Sequence, residues 1–182
     1  MRNTYLEEFP FLKCSLDLLT WKLYPNAKEI TEAMGLFSAA IRNLGHGMEA
    51  CGWDARAVVF GDGRTPRLGA LLAMRTRWQV VSVDPLLQPE HWKQVQRLEI
   101  LPDKGENIPT LDMANRNTVI FFPHSHAPMV DCLERVRNYS SRTIIAMPCC
   151  VPIAKTWVTK PHIMYRDMNV ISGKNEIHIW KS

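Results

Sequence analysis

Arg56-Ala-Val-Val-Phe-Gly-Asp-Gly-Arg-Thr-Pro-Arg-Leu-Gly-Ala-Leu-Leu-Ala73, continued by Trp78-Gln-Val-Val-Ser-Val-Asp84-Pro85, decides how this chain folds. Ala57–Phe60 is a short unbroken apolar run, as expected for a central parallel strand covered on both faces. Gly61-Asp62-Gly63 then forms a turn where the backbone can approach a ligand closely. Thr65-Pro66 opens a helix: Thr accepts at the N-cap, and Pro fits the first turn, where its missing N–H does no harm. Leu68, Leu71 and Leu72 make the inward stripe of that helix, and Val80–Val83 is the second strand. Asp84 follows Gly63 by 21 residues, at the end of the second strand. A carboxylate there can accept both hydroxyls of a ribose. The stretch reads as the first half of a nucleotide-type site, with Gly61, Asp62, Gly63 and Arg64 at the turn and Asp84 and Pro85 at the strand end. The strict dinucleotide fingerprint asks for a third glycine at position 66, where this chain has Pro66. That favours an adenosine ligand without a pyrophosphate. The plain alternative is a tight strand-to-helix turn that binds nothing.

Upstream, residues 1–25 hold a short apolar helix (Phe11, Leu12, Leu16, Leu19, Leu23) ending before Pro25. Asn26-Ala-Lys-Glu29 has the form of a capping box, with Glu29 reaching back. Ile30, Ala33, Met34, Phe37, Ile41, Leu44 and Met48 then recur at helical spacing, so residues 27–51 form a helix packed on the core, with Gly52 as its stop. Downstream, the pattern predicts a helix over His91–Gln96, a third strand Leu98–Leu101 and a fourth, Thr118–Phe122. A helix Met129–Val136, a fifth strand Thr143–Met147, and a hairpin of Met164–Ile171 and Glu176–Trp180 follow. Alternating strands and helices give an α/β fold with a doubly wound, mostly parallel sheet, helices on both faces and a C-terminal β-hairpin. With no internal linker, residues 1–182 are expected to form one domain, residues 1–55 being its helical segment.

Composition sets outer limits. Hydrophobic residues are 46% of the chain and charged residues 22%, enough for a full core and a normal solvated surface. No apolar run reaches the roughly 18 residues of a membrane span, and no signal pattern opens the chain, so a cytoplasmic protein without a membrane partner is expected. Five cysteines at irregular positions fit reduced thiols. Residues 121–182 carry 8 Lys/Arg against 4 Asp/Glu, an excess that suits an anionic partner such as RNA or simply a solvated face. Trp157, between Lys155 and Lys160, is the best-placed aromatic for stacking on a base.

Two further constellations follow the later strands. Phe122-Pro-His-Ser-His-Ala-Pro128 puts two imidazoles, His124 and His126, in a Pro-bounded loop with Pro123 and Ser125. Either can act as a base near neutral pH, or can simply hydrogen-bond the backbone. Met147-Pro-Cys-Cys-Val-Pro152 follows strand five, so Cys149 and Cys150 can approach that loop. Two His and two Cys match zinc chemistry, but adjacent cysteines rarely ligate one ion. No metal site is expected, and buried, inert thiols are the plainer reading.

The element order, the glycine turn, the Asp ending strand two and the closing hairpin together resemble class I S-adenosylmethionine-dependent methyltransferases, over roughly residues 55–182. The resemblance implies S-adenosylmethionine as cofactor. The glycine turn (Gly61, Gly63) would run beside the methionine moiety, Asp84 would hold the ribose, and Asp103 would sit near the adenine. It places the acceptor over His124–His126 and Cys149–Cys150. Pro-Cys-Cys after strand five is similar to some domains linked to tRNA modification, making RNA the first expectation for the acceptor. The chain departs from the family in lacking an acid before Gly61, where Val58, Val59 and Phe60 stand. Two rivals remain: a non-catalytic scaffold subunit of the same fold, serving a protein partner or a second copy of the chain, and a nucleotide-dependent oxidoreductase. A filled cleft would mark the first, and the missing third glycine argues against the second.

Overall fold

Covered on both faces, β1 (Arg56–Phe60) takes the centre of the five parallel strands of a seven-stranded sheet in this computed structural model, which describes residues 2–44, 55–149 and 159–182. β2 (Gln79–Val83) and β4 (Leu111–Pro123) flank it in parallel. β3 (Leu98–Leu101) and β5 (Val136–Met147) extend the parallel set on either side. β7 (Glu176–Lys181) pairs antiparallel with both β5 and β6 (Ile163–Arg166), giving the order β3-β2-β1-β4-β5-β7-β6. The strand order reverses beside β1, and at such a switch point a crevice opens beyond the carboxyl ends of the strands.

One face is covered by α1 (Thr4–Glu8), α2 (Ser15–Thr20), α3 (Ala27–Asn43) and α4 (Arg67–Arg75), which bury Leu18, Leu36 and Leu71 against Trp78, Phe121 and Ile145. The other carries α5 (Met129–Glu134), with Met129 and Cys132 packed on Phe60 and Ile120. The doubly wound sheet and its closing hairpin match the expected fold class.

Several expected elements differ in extent. The single helix predicted in residues 1–25 is two short helices joined by a 3-10 turn, Phe9–Phe11. Its buried apolar residues are Tyr5, Phe9, Cys14, Leu18, Leu23 and Tyr24, whereas Phe11, Leu16 and Leu19 face outward. Packing direction, not apolarity, made that choice. The crossover expected as a helix over His91–Gln96 is a 3-10 turn, Pro89–Trp92, anchored by buried Trp92 and Val95. β4 and β5 begin earlier than Thr118 and Thr143, because residues 111–117 pair with 136–141 through register shifts near Arg116. Those added segments are largely polar and exposed, so no apolar run marks them. β6 stops at Arg166 instead of reaching Ile171. There the Asp167 carboxylate accepts from Tyr5 Oη (2.6 Å) and from Asn169 N (3.0 Å), turning the chain. α5 ends at Glu134, two residues before the expected end. The end of the helix expected over 27–51, and Gly52, lie outside the described residues.

The start of α4 also differs. Thr65 does not cap it: its hydroxyl donates to Leu23 O, 2.7 Å away. Asp62 does that work from inside the turn. Its Oδ1 accepts from Leu68 N (2.9 Å) and its Oδ2 from Gly69 N (2.8 Å) and Ser82 Oγ (2.7 Å). A helix start leaves N–H groups without partners, and this one is satisfied by a carboxylate 2% exposed. Burial pushes the Asp62 carboxyl up to about 6, while the Ser82 hydroxyl, the two amides and Arg67 pull it down.

Because the folded chain then holds the Asp62 proton more tightly than the unfolded chain, the group's contribution to stability is present below about pH 4. It declines as pH rises through about 6. Asp62→Asn, which cannot ionise, should gain on the parent protein by about 2–3 kcal/mol between pH 4 and 7. Urea denaturation at several pH values measures this; a constant offset between the two proteins would refute the raised carboxyl.

Candidate functional site

A cleft of about 770 Å³ lies at the carboxyl ends of the parallel strands, within the range of small-ligand sites. Gly61 and Gly63 form its floor, both left-handed (φ +80° and +83°). Gly61 N donates to Val83 O (2.8 Å), and Gly63 N to Asp84 Oδ2 (2.9 Å). The other Asp84 oxygen accepts from Leu86 N at 2.9 Å. An ionised carboxylate has about four acceptor positions, so Asp84 locks the turn and keeps capacity for a ligand's hydroxyls. Pro85 and Asp103 line the same side.

The opposite wall is the loop after β4. His124 adopts a left-handed backbone (φ +48°) and donates its N–H to Met147 O (2.9 Å), fixing the loop to the end of β5. A non-glycine residue held this way costs roughly 1–3 kcal/mol and is a mark of functional loops. Pro123 and Ser125 line the cleft with it. Ser125 packs directly over Gly61, where a Cβ would lie 2.7 Å from the Ser125 Cβ. His126 Nε2 lies 2.9 Å from Cys149 Sγ, so the two loops meet as the sequence anticipated. Cys150 lies outside the described residues, as does Trp157. Arg64 is exposed and does not line the cleft; Arg67, the first residue of α4, does.

The third wall is the first turns of α3. Asn26 Oδ1 accepts from Glu29 N (3.1 Å), as the capping box predicts. Glu29 does not reach back, however: its carboxylate pairs with Arg67, whose guanidinium lies over Gly63. One turn on, Glu32 Oε1 lies 2.8 Å from His124 Nε2 and 3.4 Å from Lys28 Nζ. Burial works to raise the Glu32 carboxyl, but His124, Lys28 and Ser172 together hold it below the usual range. Lys28, Glu32 and Arg67 were not singled out in the sequence, and Glu29 was read only as a capping residue. A Lys-Glu-Glu pattern on a helix is ordinarily a solvated face, and only the packing of α3 against the cleft distinguishes it. No cluster of three or more His, Cys, Asp or Glu among the described residues is placed to hold a metal ion. None of their helices is long and apolar enough to cross a membrane.

No family model matches the chain, and no curated protein matches it in sequence. Solved structures do resemble it. MtNAS in complex with MTA and tNA is 12% identical with a TM-score of 0.57, over 98% of this chain and 68% of that one. A point mutant of MtNAS in complex with S-adenosylmethionine is likewise 12% identical, with a TM-score of 0.57 over 97% and 69%. Haemonchus contortus phosphoethanolamine N-methyltransferase 1, in complex with phosphoethanolamine and S-adenosylhomocysteine, is 11% identical with a TM-score of 0.54, over 98% and 47%. At such identities the likeness is one of fold. The chain has the class I methyltransferase fold.

Gly61→Ala should destabilise the protein by about 1–3 kcal/mol, since it adds left-handed strain to the collision with Ser125. Chemical denaturation gives the loss, and the amide resonances of residues 124–127 should move with it. Unchanged resonances would mean that Ser125 does not rest on the turn.

Proposed function

We propose that this chain binds S-adenosylmethionine in the cleft and transfers its methyl group. The observation that carries this is the joining of the Gly61–Gly63 turn to Asp84 through one hydrogen bond, at the switch point of a methyltransferase fold. When bound, the cofactor supplies a methyl group made electrophilic by its sulfonium. Asp84 would take the ribose hydroxyls with its free acceptor positions, Pro85 and Asp103 would flank the adenine, and Gly61 and Gly63 would admit the sulfonium end. Asp62 shapes the turn from behind. Arg67 and Glu29, an opposed pair beside Gly63, suit the carboxylate and ammonium of a methionyl group. Glu29 thereby supplies from α3 the acid missing at the end of β1.

On the acceptor side stand Pro123, Ser125 and Cys149. His124 and His126 are the available bases, each held by a partner: Glu32 for the first and Cys149 for the second. Methyl transfer needs mainly alignment of the nucleophile, which these walls provide, and a base only where the acceptor carries a proton. A cleft of this volume favours an enzyme over the non-catalytic scaffold, which would leave it filled.

An RNA acceptor rests on the basic last third, but Arg137, Arg142 and Lys181 lie toward the amino ends of the parallel strands, away from the cleft. The described cleft wall carries the cations Lys28, Arg67, Lys104 and Lys174 against five carboxylates besides the inward-turned Asp62: Asp84, Asp103, Glu29, Glu32 and Glu106. That balance favours a small acceptor over a polyanion.

Isothermal titration should show S-adenosylhomocysteine binding, weakened roughly 10–100-fold by Asp84→Ala, since hydrogen bonds to a charged group are worth about 1.5–3 kcal/mol. No binding to the parent protein would sink the reading. Incubation with labelled cofactor and total tRNA should leave the RNA unlabelled; labelled tRNA would restore RNA as the acceptor.

A further inference from the structure

We infer that the acceptor is an amine, taken up as an ammonium ion at the Glu32–His124 pair, an assignment that rests on the methyltransferase reading of the cleft. The Glu32 side chain is only 6% exposed, yet it lines the cleft. Its Oε1 and the Nε2 of His124 approach to 2.8 Å, but neither has an aligned hydrogen-bond partner among the described residues. A buried carboxylate whose partners leave acceptor positions open beside a cavity can take a donor from whatever enters it.

The chemistry of the pair selects what that is. A carboxylate offers acceptors only, and an imidazole that turns one N–H to Glu32 offers one more acceptor on its other ring nitrogen. An ammonium, with three donors and a positive charge, fits both. A hydroxyl brings one donor and no charge, and a carboxylate or phosphate would face Glu32 as a like charge. The chain itself supplies an example: the Lys28 ammonium stands 3.4 Å from Glu32 Oε1, on a side chain about half exposed. Such a side chain can swing to solvent and yield its place to an incoming amine.

The step then balances. The bound ammonium gives one proton to the ring nitrogen of His124 that does not face Glu32, and the amine nitrogen is left with a free lone pair. That lone pair forms the nitrogen–carbon bond as the carbon–sulfur bond of the sulfonium breaks. The positive charge passes from sulfur to the methylated nitrogen, leaving a neutral thioether. His124 returns its proton to solvent through the mouth of the cleft. Glu32 stays ionised throughout, opposite first the ammonium, then the imidazolium and the product cation. It is a positioning residue for His124 and a binding residue for the amine.

The test titrates the full chain, loaded with S-adenosylhomocysteine, with n-butylamine, ethanolamine and putrescine. n-Butanol, ethylene glycol and butyrate serve as matched probes without an amine. At least one amine should bind, and its counterpart should bind ten or more times more weakly. Glu32→Gln should weaken the amine 30-fold or more while leaving S-adenosylhomocysteine affinity within twofold, and Glu32→Asp should restore part of the loss. Lys28→Gln, on an exposed side chain that does not endanger folding, should tighten amine binding severalfold by removing the internal competitor. A merely structural Glu32 would not produce that gain. Binding of no amine, stronger binding of butyrate, or an unchanged affinity in Glu32→Gln would each overturn the assignment. Failure of S-adenosylhomocysteine to bind would instead bring down the cofactor reading, and the same amines titrated into the unloaded chain would still report on Glu32.

Discussion

A single buried carboxylate holds the working end of this sheet together. Asp62 leaves the turn after β1, accepts from two amides at the start of α4 and from the Ser82 hydroxyl on β2, and so ties three consecutive elements at one point. The charge is expensive in that position, as the raised carboxyl shows. What offsets the cost is a set of donors that would otherwise be unsatisfied themselves. With Asp62 turned inward, the Gly61–Gly63 backbone faces the cleft. Asp84 can then secure it from the neighbouring strand. The two acids thus divide the work: one faces the protein, the other keeps a side for a ligand.

Around that floor, two further walls are set by elements distant in sequence. α3 brings Lys28, Glu29 and Glu32 from one side, and the loop after β4 brings His124, Ser125 and His126 from the other. Glu32 of α3 meets His124 of that loop, and Glu29, one turn earlier on α3, pairs with Arg67 of α4. A charged side chain inside such a wall acts in a less polar medium than water, so small displacements change its energy more than on an open surface. The left-handed backbone at His124 belongs to the same design, since it turns the imidazole toward α3 while the Met147 carbonyl anchors the loop.

The parts of the fold legible in the sequence were those where local pattern and burial coincide. Ala57–Phe60 and Val80–Val83 read as buried strands because central parallel strands are apolar on both faces. The glycine turn and Asp84 were legible because their spacing reflects one strand–turn–helix–strand unit. Where burial depends on a partner far along the chain, the local pattern misled. Phe11, Leu16 and Leu19 look like a core stripe yet face outward, and the polar amino-terminal parts of β4 and β5 pair without any apolar run. Thr65 had the form of a cap, but the amides it would have served were already taken by Asp62.

By itself, then, the sequence determined the class of sheet, the place of the glycine turn and the carboxylate beside it, because each follows from residues within one short stretch. Only the tertiary structure decided that Asp62 points inward, that Arg67 and not Arg64 reaches the cleft, and that Glu32 stands against His124 across 92 residues of chain. The physical reason is the same in each case. Hydrogen-bond donors and charges choose partners by position in space, and helix packing on a twisted sheet sets that position.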